Sequence, residues 1–258
     1  MKILDIRNNN FYKNLDRILI NRSNNTIFDV DNDVKKIING VKNNGDKALF
    51  NFAKKYDGSN INDSNILLSY KLRNSFKNKV SATNMSAFKI AIKNITRFHK
   101  KQIPNNYRIV NKNIKTESIW KPIDAVGLYI PGGKTIYPSS LIMNAIPAKV
   151  AGVKRIVAVT PPQSGEINPY ILALLKELSI SEIYQVGGAH AIAALAYGTE
   201  SIKPVNKIFG PGNAYVASAK KQVFGKVGID LIAGPSEIIV VADKDNNPQW
   251  VASDLIAQ

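Results

Sequence analysis

The spacing of the hydrophobic positions changes near residue 120, and the two sides of that point predict different structures. Before it, apolar residues recur every three to four positions, as over 34–41 and 88–95, which is the spacing of an amphipathic helix. The turn signals Asn43-Asn44-Gly45 and Asp57-Gly58 interrupt this half. We therefore predict that residues 1 to about 120 are polar and largely helical.

The start of the chain carries an apolar stripe of its own. Phe11, Leu15, Ile18 and Leu19 would lie on one face of a helix, and such a face needs a partner surface. We predict a separate N-terminal helical arm over residues 1–23.

From Ile123 onward, short apolar runs alternate with helical segments. The runs are AVGLYI, RIVAVT, EIYQVGG, KIFGPG and GIDLIAGPSEIIVVAD, and the helices follow Pro138 and occupy about 169–178, AHAIAALAYG and about 213–224. Apolar strands separated by helices are what a parallel sheet covered on both faces requires. The pattern predicts an α/β layer over about 123–236, of the kind that binds nucleotides.

The last residues also predict a helix. Asn247 followed by Pro248 is typical of an N-cap with proline at the first helical position. The helix would carry Trp250 and Ile256 on an apolar face and would reach Gln258 without a stop signal. We therefore expect the chain to be an amino-terminal fragment of a longer protein.

Composition narrows the class of protein. The 258 residues, 45% of them hydrophobic, can bury a core, and no run approaches the ~18 apolar residues of a membrane span. The first residues lack the features of a signal peptide, so we expect a cytoplasmic protein without a membrane partner. The sequence has no cysteine, which excludes disulfides, thiolate metal sites and thiol nucleophiles.

The net charge of +16 raises the alternative of nucleic-acid binding, because clustered Lys and Arg neutralise phosphates. Here the basic residues are dispersed among asparagines, and pairs such as Lys35-Lys36 are short. We interpret the charge as a solvated surface and expect no nucleic-acid partner. The alternative predicts retention on DNA that falls steeply with salt.

Three glycine-rich turns lie where predicted strands pass into helices. They are Pro131-Gly132-Gly133-Lys134, Val186-Gly187-Gly188-Ala189 and Gly210-Pro211-Gly212-Asn213. Ligands of open α/β sheets bind at the carboxyl ends of the strands, where glycine lets the backbone approach a phosphate, so several such turns favour a nucleotide site. The sequence lacks G-x-G-x-x-G, and the segment 127–135 has five residues rather than four between the glycines of a P-loop.

Two histidines are candidates for chemistry. His99 lies in the basic stretch RFHKKQ, where a surface position is the default. His190 follows Gly187 and Gly188 in the first turn of a predicted helix, where it could contact a cofactor or only begin the helix. Neither histidine belongs to a paired metal motif, so no metal site can be completed from them.

Four segments, in order along the chain, resemble the signature segments of histidinol dehydrogenase. They are GLYIPGG at 127–133, VGGAHAIAALAYGTE at 186–200, KIFGPGNAYVASAKKQV at 207–223 and IDLIAGPSEIIVVAD at 229–243. The resemblance covers most of the chain from about Ile123 to Gln258, whereas the first half agrees only in its general helical character.

The resemblance implies a homodimeric zinc enzyme that oxidises L-histidinol through L-histidinaldehyde to L-histidine, using NAD twice. It implies an α/β fold of two incomplete Rossmann-like domains, one inserted in the other, with the outer one truncated here. The implied boundaries are a helical arm over 1–23, the first part of the outer domain over 24–128, the inserted domain over 129–236 and the return to the outer domain over 237–258.

The resemblance also implies roles for five residues. Tyr129, His190 and Asn213 would bind NAD, Ser236 would bind substrate, and Gln258 would bind both zinc and substrate. His190 stands where the family pattern has Gln, which keeps hydrogen-bonding capacity in a shorter, titratable side chain.

No catalytic residue is assigned within the chain, because the family's acid/base pair would lie beyond Gln258. A cysteine-free enzyme would oxidise the aldehyde with activated water rather than a thiol. We expect the chain alone to be inactive, since one glutamine cannot hold a catalytic zinc. The alternative is a degenerate nucleotide-binding or interaction module without catalysis.

Overall fold

The computed structural model describes most of the chain. The described residues are 4–24, 30–74, 76–132, 136–163, 165–232 and 238–257. Two of the predicted site residues, Ser236 and Gln258, lie outside these ranges. Among the described helices, none is both long and apolar enough to cross a membrane.

The described part of the first hundred residues is largely helical, as predicted. The helices are α1 Phe11–Asn24, α2 Asp31–Phe52, the short α3 Tyr70–Arg73 and α4 Ala82–Lys100, and a π-helical turn Ala53–Asp57 extends α2. The stripe over 34–41 is buried. Both turn signals act as the sequence indicates, because α2 kinks at Gly45 (φ 52°) and the π-helical turn ends at Gly58 (φ 63°).

An exposed hairpin corrects the prediction that the helical half extends to residue 120. Strands β1 Tyr107–Asn111 and β2 Ile114–Ser118 pair antiparallel, and the turn between them holds Lys112 at φ 44°. Residues 107–110 read YRIV, and aromatic and β-branched residues favour strands; a two-residue turn joins the two strands. The strand propensity of these residues and the tight turn therefore outweigh the surrounding helical pattern here.

The second half contains the predicted parallel sheet. Its strands are β3 Ala125–Tyr129, β4 Arg155–Val159, β5 Glu182–Tyr184, β6 Lys207–Phe209 and β7 Gly228–Ile229. They lie in the order β5-β4-β3-β6-β7, and every pairing is parallel. All five residues of the central strand β3 are buried.

Helices cover both faces of this sheet. They are α5 Pro138–Val150, α6 Pro169–Glu177, α7 Gly188–Tyr197 and α8 Ala214–Val223. Helices α5 and α6 pack with α4 on one face, and α7 and α8 pack with α2 on the other. The helix after β3 and the helix after β6 therefore lie on opposite faces, which makes the gap between these two neighbouring strands a topological switch point.

The carboxyl end agrees with the predictions only in part. Helix α9, Pro248–Ala257, begins where predicted, and Asn247 Oδ1 accepts a hydrogen bond of 2.9 Å from the Gln249 amide. The predicted strand from Gly228 is wrong beyond Ile229, because residues 238–243 belong to no strand. A β-strand requires a hydrogen-bonded neighbour, and no described strand pairs with this segment.

Candidate functional site

The glycine-rich turns meet at one edge of the sheet. Because the strands are parallel, the loops that follow β3, β4, β5 and β6 all leave from the same side. Gly132 and Gly187, from two of these loops, both face the ring of Pro161 from a third, and a Cβ at either glycine would collide with that ring. Glycine is thus required for the loops to pack this closely.

Tyr129, the last residue of β3, lies at this edge. Its side chain is almost fully buried, and its hydroxyl oxygen accepts a hydrogen bond of 3.2 Å from the Gly188 amide. Burial raises the pKa of Tyr129 to about 12, and the nearby negative charge of Asp57 adds to this, although the Gly188 hydrogen bond opposes it. The hydroxyl is therefore neutral at physiological pH and can both accept and donate a hydrogen bond.

His190 lies in the first turn of helix α7, and its side chain is turned away from solvent. Its side chain is 1% exposed, its Nε2 lies 3.1 Å from Asp57 Oδ2, and its ring centroid lies 6.4 Å from that of Phe52. Since a carboxylate only accepts, Nε2 must carry the proton in this bond. His190 thus links α7 to the π-helical turn, and its contact with a cofactor stays a prediction.

Asn213 lies on the loop after β6 and begins helix α8. Its Oδ1 accepts a hydrogen bond of 3.1 Å from the Val216 amide, which makes it the N-cap of the helix. Unlike Tyr129 and His190, Asn213 is exposed. A ligand can therefore reach the two N–H donors of its side-chain amide.

Gly210 brings the loop of Asn213 against the end of β3. Its φ is 120°, and a Cβ there would overlap the carbonyl oxygen of Tyr129. The register explains this proximity, because Leu128 pairs with Phe209, so the residues that follow them, Tyr129 and Gly210, are neighbours. Only glycine fits this position.

Two residues that the sequence analysis missed hold Gly210 in place. Lys220 Nζ donates a hydrogen bond of 2.9 Å to the carbonyl oxygen of Gly210, and Asp230 Oδ2 accepts one of 2.8 Å from its amide. Lys220 and Asp230 also form an ion pair with each other. One signal could have revealed Lys220, which lies between Val216 and Val223 on the apolar stripe of α8.

Asp57 is a third residue that the sequence analysis missed as a site residue. In the sequence it forms a turn signal with Gly58, whereas in the structure its carboxylate contacts His190 and raises the pKa of Tyr129. No pattern along the chain connects positions 57 and 190, so only the fold reveals this contact.

The edge as a whole offers the chemistry of a nucleotide site. Helices α7 and α8 both begin there, glycine backbone lies at Gly187, Gly188, Gly210 and Gly212, and the switch point lies between β3 and β6. Backbone amides and helix N-termini favour phosphate, and glycine removes the side chains that would keep it away. Gly188 lies next to two predicted residues, because its amide donates to the Tyr129 hydroxyl and its Cα faces the His190 ring. Asn213 ends the adjoining loop.

The residues at this edge do not form a metal centre. Within the described parts of the chain, no group of three or more His, Cys, Asp or Glu side chains could hold a metal ion. Gln258, the implied zinc ligand, lies outside those parts.

Comparisons with known proteins agree on one family. The family model described as histidinol dehydrogenase matches residues 20–258. Histidinol dehydrogenase from Brucella abortus (strain 2308) is 50% identical over 231 residues, which are 89% of this chain and 54% of that protein. The enzyme from Listeria innocua is 47% identical over 249 residues, or 95% of this chain and 57% of that protein.

A solved structure is similar as well. The crystal structure of histidinol dehydrogenase from Elizabethkingia anophelis matches with a TM-score of 0.82 at 39% identity, covering 88% of this chain and 53% of that chain. The chain thus spans about half the length of the relatives that it matches.

Proposed function

The chain belongs to the histidinol dehydrogenase family, and from that premise we propose that it supplies the NAD-binding part of an enzyme that oxidises L-histidinol to L-histidine. The reaction would pass through L-histidinaldehyde, and each of its two steps would deliver a hydride to one NAD. The first step releases a proton from the alcohol. The second consumes a water, which adds to the aldehyde before the second hydride leaves.

The observation that carries the proposal is the switch point between β3 and β6. Here Tyr129 and Gly210 lie side by side, and the loop continues from Gly210 to the exposed Asn213. Dinucleotides bind at such points in open α/β sheets, with the pyrophosphate against glycine backbone and a helix N-terminus.

We assign each residue a role from its position. Asn213 donates from its side-chain amide to the nucleotide while its oxygen caps α8. Gly210 keeps the loop free of a side chain that would displace it from β3. Tyr129 offers a neutral hydroxyl and holds the Gly188 amide at the start of α7. NAD itself, when bound, supplies the hydride acceptor.

At the level of domains, we propose that residues 129–236 form a Rossmann-like domain inserted in an outer one, with 24–128 and 237–258 as parts of the outer domain and 1–23 as a helical arm. The parallel sheet with helices on both faces supports a Rossmann-like fold, and its central strand β3 begins at Ala125, before the proposed boundary. A homodimer in the cytoplasm is the assembly that we infer for the whole enzyme.

Zinc is part of the proposal only because membership of the family implies it. Gln258 and the substrate residue Ser236 lie outside the described residues, and the described ones offer no cluster of metal ligands. We therefore derive no step of the reaction through zinc from this chain.

Isothermal titration of the chain with NAD at physiological salt tests the cofactor assignment. We expect saturable binding by the wild type and binding weakened about tenfold by Asn213→Ala, the loss of roughly one hydrogen bond to the nucleotide. The matched control is Ser81→Ala, which removes the N-cap of α4, where Ser81 Oγ accepts from the Asn84 amide at 3.1 Å.

The control separates loss of a helix cap from loss of a ligand contact. Both variants should lose about 1 kcal/mol of stability, but only Asn213→Ala should lose affinity for NAD. The assignment is wrong if the folded wild type does not bind NAD, or if the two variants bind it equally well.

A further inference from the structure

Lys220 is a charged side chain in an unusual environment. Its ammonium lies in the interior between α8 and the loop after β6, and the side chain is only 3% exposed. Burying a lysine charge is unfavourable unless a partner charge and hydrogen bonds compensate for the lost hydration. The contacts of Lys220 therefore indicate what this buried charge maintains.

Those contacts converge on one residue. Lys220 Nζ binds the Gly210 oxygen, Asp230 Oδ2 binds the Gly210 amide, and the two charged groups pair with each other. Asp230 Oδ1 also accepts a hydrogen bond of 2.7 Å from the Leu231 amide. Both polar backbone groups of Gly210 are thus held by the two members of a single ion pair.

Gly210 is the residue whose conformation determines where the following loop goes. Its positive φ of 120° is available to glycine but is rarely adopted by other residues, and without an external constraint glycine would explore many conformations. Three residues later, Asn213 begins α8. A change at Gly210 would therefore move both Asn213 and the N-terminus of the helix.

We propose that Lys220 and Asp230 are positioning residues of the candidate NAD site, with no direct contact to the cofactor. Their ion pair fixes Gly210, so that Asn213 and the first amides of α8 are preorganised for the dinucleotide. This inference rests on the proposed function, because it explains how the same site is held ready. It goes beyond that function in assigning roles to two residues that no nucleotide motif identifies.

The double variant Lys220→Met/Asp230→Asn is the decisive test. A single Lys220→Met change leaves the Asp230 charge without its partner and could prevent folding, whereas the double change removes both charges together. Asparagine still offers an oxygen to the Gly210 amide, so the main loss is the hydrogen bond to the Gly210 oxygen. Two quantities are measured on the folded chain: the Kd for NAD and the hydrogen exchange of amides over 210–216.

The matched control is Arg155→Met/Glu182→Gln. Arg155 and Glu182 form a partly buried ion pair of 2.6 Å at the opposite edge of the sheet, where β4 and β5 begin. The control variant removes a comparable ion pair and leaves the sequence of the loops at the site unchanged. A general loss of stability would therefore appear in both double variants, whereas a positioning effect would appear only in one.

We expect the Lys220/Asp230 double variant to weaken NAD binding about tenfold, the equivalent of one lost charge-assisted hydrogen bond, and to accelerate exchange over 210–216. The control should change neither by more than about twofold. Unchanged NAD affinity in the first variant overturns the proposal, and so does an equal loss in both. If the wild type binds no NAD, the proposed function fails and the positioning role fails with it.

Discussion

Strand β3 and the segment 238–241 have similar sequences and opposite surroundings. Ala125–Tyr129 reads AVGLY and 238–241 reads IIVV, so both are short apolar runs of the kind that favours strands. All of β3 is buried between β4 and β6 and under helices on both faces, whereas Ile239 is 89% exposed and Val241 92% exposed. Apolar composition alone therefore does not make a strand, since neighbouring strands and covering helices are required as well.

The largest effect that we predict tests this comparison directly. Leu128→Ala, in the middle of β3, should lower the free energy of unfolding by about 2–5 kcal/mol, because it removes buried methyl groups and leaves a cavity. Ile239→Ala should change it by no more than about 0.5 kcal/mol, because the side chain is already in water. Urea unfolding of both variants gives the two values, and similar losses would mean that 238–241 is buried in solution.

A second, smaller effect is a loss of stability at high pH that arises from the buried Tyr129. Because the pKa of Tyr129 is about 12 in the folded chain and 10.0 in the unfolded one, the folded state retains the phenolic proton where the unfolded state loses it. The stabilisation that comes from this difference in pKa is fully present below pH 10 and is lost as the pH rises towards 12. The shift corresponds to roughly 2–3 kcal/mol.

Tyr129→Phe isolates that contribution. The variant should lose about 1 kcal/mol at neutral pH, from the hydrogen bond to Gly188, but its stability should fall less steeply between pH 10 and 12. Denaturant unfolding at a series of pH values measures the difference between the two proteins. Tyr107→Phe, in the exposed hairpin, is the control, and an alkaline profile altered equally by both changes would contradict the buried environment of Tyr129.

The smallest predicted effect compares the two histidines. His190→Leu keeps a similar volume but removes the hydrogen bond to Asp57, and we expect a loss of about 1–2 kcal/mol. His99 also makes a bond at a short distance, from Nδ1 to Gln102 Oε1 at 2.6 Å, but at the surface, so His99→Leu should change stability by less than about 0.5 kcal/mol. Thermal unfolding of the pair distinguishes them, and equal losses would argue against a structural role for the buried histidine.

Patterns of local origin were predicted well. The helical stripe over 34–41, the break at Gly45 and the cap at Asn247 each depend on residues within a few positions of one another. The alternation of strands and helices after Ile123 predicted the parallel sheet in the same way. The hairpin at 107–118 was missed because its two short strands carry no clear periodicity and follow a longer helical pattern.

The candidate site was only partly predictable, because its residues differ in the kind of signal that they carry. Tyr129 and Asn213 lie in glycine-rich segments, and the sequence alone indicated that they belong to one sheet edge. Asp57 is 133 positions from its partner His190, and Asp230 reaches back across the loop to Gly210. Such contacts depend on how helices pack against the sheet and leave no periodic trace.

The sequence by itself determined the class of fold and the family and indicated the edge of the sheet at which we propose that a ligand binds, because periodicity and glycine turns are local properties. The tertiary structure alone decided which apolar runs become strands, that His190 turns inward to Asp57, and that Lys220 and Asp230 hold Gly210. The physical reason is that burial and ion pairing depend on neighbours that are distant in sequence, and these neighbours come together only when the chain folds.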